Sequence, residues 1–303
     1  MKVVVLGGGL GGSRFARALA ESLDPSDVTV VGNVGDDLEV AGLHVSPDLD
    51  TIVYTLAGVL DEQRGWGRAD ETWNARAAAE ELGAETWFQL GDRDLGLHVA
   101  RTEALRRGEP LSAVTAKLAQ ALGVGATVLP PTDDRLRTWV VTPAGEFPFQ
   151  EWFVRRAHRD EVDGVRFEGA AKARAAPGVL EALEAAELIA IAPSNPFLSI
   201  GPILAVAEIR EALESRRVPA LAVSPLIGGR AVRGPADRML ARLLGGTGPA
   251  QVTDCYKGLI DVLVIDEADA DQDAGIQTIV TKTLMRDAAA RRRLAEAVLG
   301  VPV

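Results

Sequence analysis

The sequence VVVLGGGLGGSRFARALA at residues 3–20 determines how the fold begins. Its first four residues are apolar and mostly β-branched, which is typical of a buried parallel strand. Glycines follow at once, and Phe15 and Leu19 then recur at helical spacing. A second apolar run at residues 28–31 is another predicted strand. The order strand, glycine turn, helix, strand predicts a right-handed crossover in a parallel sheet.

After the second strand, the predicted secondary structure is first mainly helical and then alternates between strands and helices. Residues 51–60 have the apolar spacing of a helix, and Ala-rich segments with helical character then follow at 70–82, 94–107 and 111–122. After residue 126, predicted strands at 126–129, 188–192, 219–223 and 261–265 alternate with helical segments, and a hairpin is predicted around residues 143–145. We therefore predict an α/β fold. It has a Rossmann-like three-layer core with a mainly parallel sheet, formed by residues 1–60 and 126–303, and a smaller, mostly helical cap at 61–125.

Composition excludes several classes of function. The 303 residues are 47% hydrophobic and 25% charged, with a formal net charge of -11. A nucleic-acid-binding face needs clustered Lys and Arg, and an acidic chain does not favour one or an anionic membrane surface. The single cysteine, Cys255, excludes an intramolecular disulfide and is expected to be a buried apolar residue. No apolar stretch is long enough to span a bilayer and no signal-peptide pattern is visible, so we expect a cytoplasmic protein.

Gly7, Gly9 and Gly12 form the pattern G-x-G-x-x-G between a strand and a helix. The pattern predicts phosphate binding, because glycines let the backbone approach a phosphate at a helix N-terminus. We take Gly9, Gly11 and Gly12 as candidate substrate-binding residues. The pattern is also compatible with a dinucleotide cofactor or a purely structural turn. A dinucleotide site usually has an acidic residue at the end of the second strand, where this chain has Asn33, another candidate substrate-binding residue.

Four aspartates, Asp36, Asp37, Asp48 and Asp50, follow the second predicted strand. Carboxylates at the carboxyl edge of a parallel sheet can bind Mg²⁺ together with substrate phosphates, or orient an attacking hydroxyl. A structural alternative stays open: Asp36 and Asp37 as turn residues, and Asp48 and Asp50 as caps of the next helix, with Asp50 the credible N-cap.

Several blocks of the sequence resemble the 2-phospho-L-lactate transferase family. They cover most of the chain in family order and are far more specific than the glycine pattern. The blocks are GDD at 35–37, SPDLDTIVYTL at 46–56, RGWG at 64–67, DETW at 70–73, LGDRD at 90–94, FQEW at 149–152, APSNP at 192–196, SIGPI at 199–203 and SPLIGG at 224–229.

The resemblance implies a step in the synthesis of the deazaflavin coenzyme F(420). A GDP-linked three-carbon acid, which is phospholactate, phosphoenolpyruvate or phosphoglycerate in different members, donates its phosphorylated acid to the terminal hydroxyl of the deazaflavin precursor, 7,8-didemethyl-8-hydroxy-5-deazariboflavin. GMP is released. The resemblance also implies Mg²⁺ as cofactor and a homodimer. The donor acid cannot be read from the sequence.

The resemblance assigns residues by motif position. Asp50 and Arg93 are the expected deazaflavin-contacting and catalytic residues, and Asp36 and Asp48 the expected metal ligands. Ser194 and Asn195 are expected at the guanosine phosphate site.

Structural alternatives remain for some of these positions. Arg93 could instead form a surface salt bridge with Asp92 or Asp94, and His98 is expected to be a packed helix residue more than a base. Trp66, Trp73, Trp87 and Trp152 are expected mainly in packing, although an aromatic wall would suit a planar deazaflavin.

Two other functions stay open. The first is a non-enzymatic, nucleotide-sugar-binding regulator of the gluconeogenesis-factor type, which the chain resembles weakly in fold and glycine loop. As we know them, those proteins lack the SPDLDT and GDRD patterns that this chain has at residues 46–51 and 91–94. The second is a nicotinamide-dependent oxidoreductase, which the missing acidic residue after the second strand disfavours.

Overall fold

The computed structural model describes residues 1–301, and a parallel seven-stranded sheet lies at its centre in the order β14-β13-β10-β9-β1-β2-β5. The strands are β1 (Val3–Gly7), β2 (Val28–Gly32), β3 (Leu38–Val40), β4 (Leu43–Val45), β5 (Thr127–Leu129), β6 (Arg137–Thr142), β7 (Gly145–Pro148), β8 (Gly164–Glu168), β9 (Leu188–Ile191), β10 (Ala220–Val223), β11 (Leu226–Ile227), β12 (Arg230–Ala231), β13 (Val262–Asp266) and β14 (Gln277–Thr281). The predicted α/β class with a mainly parallel sheet is confirmed.

Helices connect these strands. They are α1 (Gly9–Ala20), α2 (Pro47–Leu56), α3 (Asn74–Glu81), α4 (Asp92–Arg106), α5 (Leu111–Ala121), α6 (Val179–Ala185), α7 (Gly201–Leu204), α8 (Ala207–Glu214), α9 (Ala236–Leu244), α10 (Pro249–Cys255) and α11 (Ala288–Leu299). Helix α1 packs against α2 and α11, while α6 packs against α8. Among residues 1–301, none of the helices combines the length and apolar character that crossing a bilayer requires.

The strand order reverses beside β1. From β1 the chain proceeds to β2 and β5 on one side, whereas β9, β10, β13 and β14 extend the sheet on the other. Right-handed crossovers in opposite directions place their helices on opposite faces, as the three-layer prediction requires. The carboxyl ends of β1 and β9 flank the reversal, and such a point is where open α/β sheets bind ligands.

Helices lie in the segment between β2 and β5, where a helical cap is predicted. Helices α3, α4 and α5 lie within residues 61–125, close to their expected positions. The helix expected at 51–60 instead spans Pro47–Leu56, because Ser46 takes the N-cap position and proline is favoured in the first turn. The β3–β4 hairpin, which precedes it, was not expected.

A second small sheet lies within residues 126–303, which are predicted to belong to the core. The expected hairpin is present as β6 and β7, and β8 pairs with the other side of β6. Apolar residues around Val140 and Trp152 form a hydrophobic cluster separate from the main core. Short strands and turn residues predict the hairpin, whereas the pairing of β8 is a long-range contact with no local signal.

Replacing Trp152 by alanine tests this second cluster. Its indole is 0% exposed, so we expect Trp152→Ala to lower the free energy of unfolding by about 3–5 kcal/mol. Val154 lies in the same turn but is 39% exposed, and Val154→Ala should change stability by about 0.5 kcal/mol or less. Chemical denaturation measures both. Equal effects would contradict the existence of a separately packed cluster.

Candidate active site

A cavity of about 570 Å³ opens at the reversal of strand order. Its wall includes the glycine loop after β1, the aspartate segment after β2 and the loops after β9 and β10. Residues of the cap segment, among them Trp66 and Trp87, complete it. The carboxyl edge of the sheet and the cap therefore enclose one site, as the position of the switch point predicts.

The glycine loop is packed too closely for side chains. An ideal Cβ on Gly8 would lie 2.1 Å from Oδ2 of Asp48, and one on Gly11 would lie 2.7 Å from the carbonyl oxygen of Pro193. Gly9 has a φ of +65°, which favours glycine, and begins α1. The loop thus brings backbone amides and the N-terminus of α1 to the cavity, an arrangement suited to an anion.

Ser194 and Asn195 both line the cavity and also have structural roles. The hydroxyl of Ser194 donates to the carbonyl oxygen of Gly8 at 2.8 Å and lies 3.2 Å from the Gly8 amide, which donates to it. Oδ1 of Asn195 accepts hydrogen bonds from the amides of Phe197 and Leu198. Both residues therefore fix the loops that would contact a phosphate.

Asp36 and Asp48 lie together on the cavity wall, and Asn33 connects them. Nδ2 of Asn33 donates to Asp36 at 3.2 Å and to Asp48 at 2.9 Å. The other oxygen of Asp36 accepts from Gln150 at 3.2 Å, and Asp48 also accepts from the Gly9 amide at 2.7 Å. The aspartate segment and the glycine loop are consequently joined through one carboxylate.

Burial disfavours the ionised forms of both carboxylates. It raises the pKa of Asp48 to about 6, and hydrogen bonds from Asn33 and Gly9 counteract this only in part. Burial, reinforced by the charges of Asp48 and Asp37, raises the pKa of Asp36 well above its ordinary value. A cation near the pair would stabilise their ionised forms.

The oxygen donors of this pair fit Mg²⁺, although they do not form a complete cage. Within residues 1–301, no three His, Cys, Asp or Glu side chains come together as a metal-binding group. Mg²⁺ commonly uses one or two protein carboxylates and takes its remaining ligands from water and substrate phosphates. Asp36 and Asp48 beside the glycine loop meet that requirement; their metal role stays a prediction.

Asp50 is not an N-cap; the capping alternative is wrong for this residue. It lies inside the first turn of α2, with its own amide bonded to the carbonyl oxygen of Ser46. Its carboxylate lines the cavity and forms a bidentate ion pair with Arg101, with Nη1 of Arg101 3.0 Å from Oδ2. The side chain of Arg101 is 2% exposed, so this ion pair lies in the protein interior. The two contacts with the arginine fix the orientation of the carboxylate.

Asp94, His98 and Tyr54 extend this buried network. The hydroxyl of Tyr54 donates to Asp94 at 2.5 Å, and Nε2 of His98 lies 3.4 Å from the same carboxylate oxygen. Burial alone would raise the pKa of Asp94, but its contacts with His98, Tyr54 and Arg101 outweigh burial and lower it. His98 is buried at the cavity wall, in agreement with a packed helix residue.

Aromatic side chains form an apolar part of the wall. Trp87 and Phe88 make an edge-to-face pair, and Phe149 stacks on Phe153 with ring centroids 5.2 Å apart. Trp66 also lines the cavity, whereas Trp152 is entirely in the second hydrophobic cluster. This wall is suited to a planar ring system.

Two of the ten predicted site residues do not line the cavity. Gly12 lies one turn into α1, where an added Cβ would lie 2.7 Å from Oγ of Ser194. The side chain of Arg93 is exposed and, within residues 1–301, forms neither of the expected ion pairs with Asp92 and Asp94. The eight that do line it are Gly9, Gly11, Asn33, Asp36, Asp48, Asp50, Ser194 and Asn195.

The sequence interpretation missed Arg101 and Gln150. Asp94, His98 and Arg101 recur at i, i+4 and i+7 on α4, so helical spacing could have placed Arg101 on the same face. Gln150 lies within the FQEW block but approaches Asp36 only through the fold, and no local pattern indicates that contact.

When no divalent cation is present, the buried carboxyl of Asp48 should contribute stability at low pH that is lost as the pH rises. The pKa of Asp48 is 3.8 ordinarily and about 6 in the fold, so between these values the folded state retains a proton that the unfolded chain has lost. In EDTA, this effect should lower the urea concentration at the unfolding midpoint as the pH is raised from about 4 to about 6. Asp48→Asn should make this fall shallower, while Asp271→Asn, an exposed control, should not. Identical slopes for all three proteins would refute the assignment.

Removing Arg101 should be far more damaging than removing an exposed arginine. Arg101→Met leaves the carboxylate of Asp50 buried without a partner, and we expect a loss of about 3–5 kcal/mol in unfolding free energy. Arg107→Met breaks only exposed ion pairs and should cost about 0–1 kcal/mol. The double variant Asp50→Asn, Arg101→Met should recover part of the loss in a double-mutant cycle. Strict additivity would argue against the ion pair.

Comparison with known proteins gives matches over almost the full length. A family model described as 2-phospho-L-lactate transferase CofD matches residues 3–296. A phosphoenolpyruvate transferase of Streptomyces coelicolor is 43% identical over 311 aligned residues, covering 99% of this chain and 97% of the relative. A phosphoenolpyruvate transferase of Thermobifida fusca is 42% identical, covering 95% of this chain and 93% of the relative.

Solved structures support the fold alone. Two crystal structures of a Bacillus halodurans protein, one of them described as a member of the upf0052 family, superimpose with TM-scores of 0.67 and 0.69. They cover 99% and 98% of this chain, and 100% and 99% of those chains, at 17% and 18% identity. The family match, by contrast, rests on the sequence itself. The chain belongs to the 2-phospho-L-lactate transferase family.

Proposed function

We propose that this protein transfers a phosphorylated three-carbon acid from a GDP-linked donor to the terminal hydroxyl of the deazaflavin precursor in F(420) synthesis. The observation that carries the proposal is the single cavity in which the glycine loop, the Asp36–Asp48 pair, Asp50 and an aromatic wall face the same space. Membership in a transferase family agrees with it.

The polar end of the cavity suits the diphosphate of the donor. Backbone amides at the start of α1 favour an anion, and the buried carboxylates Asp36 and Asp48 would hold Mg²⁺. When bound, Mg²⁺ would supply charge neutralisation for the phosphoryl oxygens. Ser194 and Asn195 contribute by holding the surrounding loops in place.

Asp50 serves the acceptor side. In the reaction, the acceptor oxygen forms a bond to the phosphorus that carries the acid, and the bond from that phosphorus to the bridging oxygen breaks. GMP departs with the electron pair, and the proton of the acceptor hydroxyl passes to solvent water. Asp50 accepts a hydrogen bond from the attacking hydroxyl. Its bidentate contact with Arg101 supports positioning over proton abstraction, because protonating Asp50 would leave the buried guanidinium without its counter-charge.

We further propose a phosphoenolpyruvate-type donor acid. Relatives at 42–43% identity from Streptomyces coelicolor and Thermobifida fusca are named phosphoenolpyruvate transferases. The acids differ by small groups that a pocket distinguishes by only about 1–3 kcal/mol, so residue chemistry alone does not favour one. A homodimer and a cytoplasmic location remain predictions.

A donor competition assay tests the proposal. With the deazaflavin precursor and Mg²⁺, we expect GMP and the phosphodiester product, formed fastest from the phosphoenolpyruvate-linked donor. Phospholactate- and phosphoglycerate-linked donors should follow at lower kcat/KM, by about tenfold or more for a difference of ~1.4 kcal/mol. Liquid chromatography of GMP and product is the measurement.

The same assay separates the alternatives. No GMP and no product with any of the three donors would refute transfer, and binding of UDP-sugars without binding of the deazaflavin would favour the nucleotide-sugar-binding regulator. A hydride-transfer signal with NAD(P)H would favour the oxidoreductase. A faster reaction with the phospholactate-linked donor would still support the transferase activity and would contradict only the proposed donor acid.

A further inference from the structure

Arg233 lines the cavity from the loop between β12 and α9. Its Nη1 atom lies 3.3 Å from the carbonyl oxygen of Arg64 in the cap segment, to which it donates. An ideal Cβ on Gly65 would lie 2.0 Å from the same Nη1 and 3.0 Å from Cδ2 of Leu10, in the first turn of α1. The guanidinium is therefore at the glycine-loop end of the cavity.

Arg233 differs from the other charged residues of the cavity wall in its ion pairing. Four carboxylates line the cavity: Asp36, Asp48, Asp50 and Asp94. Its two arginines are Arg14, which pairs with Glu62 at 2.6 Å, and Arg233. Within residues 1–301, Arg233 forms no ion pair with a carboxylate, so its charge is available to a ligand. The Gly9 amide, in contrast, already donates to Asp48.

The elements on either side of the Arg233 loop are held by other contacts. The amides of Gly228 and Gly229 in the β11–β12 turn each donate to the buried carboxylate of Asp269 at 2.9 Å. After Arg233 the chain enters α9 through Pro235, which is buried. These fixed neighbours keep the backbone of Arg233 beside the cavity, while its side chain stays exposed.

We propose that Arg233 binds the diphosphate of the nucleotide-linked donor. A planar guanidinium offers two parallel N–H donors to a phosphate, and this geometry complements the nearby backbone amides at the start of α1. Gly65 is part of the arrangement, since any side chain there would occupy the position of the guanidinium. The inference rests on the proposed function, because it assigns a binding residue to the diphosphate of the proposed donor.

Calorimetric titration with GDP and Mg²⁺ tests the assignment without requiring turnover. Arg233→Gln should raise the Kd for GDP about tenfold or more, because a charge-assisted contact to phosphate is lost. GMP has no diphosphate and its Kd should change less. Arg233→Lys should recover only part of the affinity, because lysine keeps the charge but lacks the fork of donors. In steady-state kinetics, KM for the donor should rise while KM for the deazaflavin stays near the wild-type value.

Arg230 provides a matched control. It lies exposed on β12 of the same hairpin and does not line the cavity, so Arg230→Gln removes the same charge nearby. Its Kd for GDP should match the wild type. Equal weakening in both variants would show a general electrostatic effect and overturn the assignment.

Gly65→Ala offers an independent variant in the cap segment. Because the φ of +76° at Gly65 also disfavours alanine, its effect is compared with and without Arg233. The added methyl group should displace the guanidinium and weaken GDP binding in the wild type, but have a smaller effect when Arg233 is already glutamine.

The remaining outcomes separate this inference from the function. An unchanged Kd for GDP in Arg233→Gln would overturn it, even if KM for the donor rose, because Arg233 would then contact the acid and not the diphosphate. Wild-type protein that neither binds GDP nor transfers the acid would overturn the proposed function and this inference together.

Discussion

The carboxylate of Asp48 is the interaction on which the arrangement of the site depends. One oxygen accepts from the Gly9 amide at 2.7 Å and the other from Asn33 at 2.9 Å, so a single side chain links the loops after β1 and β2. This requires a hydrogen atom in place of a side chain at Gly8, whose Cβ would overlap the carboxylate. The anion-binding and carboxylate-rich parts of the cavity are thereby held at a constant separation.

Local patterns were sufficient for the start of the fold and, together with the family resemblance, for most of the site. The apolar run before Gly7 and the helical spacing after Gly12 determine β1 and α1, which lie where expected. Because parallel strands end at one edge, the segments after β1, β2 and β9 had to meet once the sheet was recognised. This is why Asp36 and Asp48 could be placed beside the glycine loop before their distances were known, whereas Ser194 was assigned through the family resemblance.

The features that the sequence could not predict are the orientation of side chains and the contacts between residues far apart in the chain. A helical residue is rotated by roughly 100° from its neighbour, so Arg93 points away from the cavity although Asp94 faces it. A motif match identifies such residues but does not orient them. Gln150 and Arg101 reach the aspartates across 114 and 51 residues of chain, and these contacts exist only after the cap and the second sheet have packed.

The buried pairing of Asp50 with Arg101 also constrains how the sequence of this protein can diverge. The two residues belong to α2 and α4, and losing either one alone leaves a charge in the interior at a cost of about 3–5 kcal/mol, a large share of a typical domain's stability. An exchange for another pair must therefore pass through an unstable intermediate or change both positions together. Among related sequences, positions 50 and 101 should consequently vary as a unit or not at all.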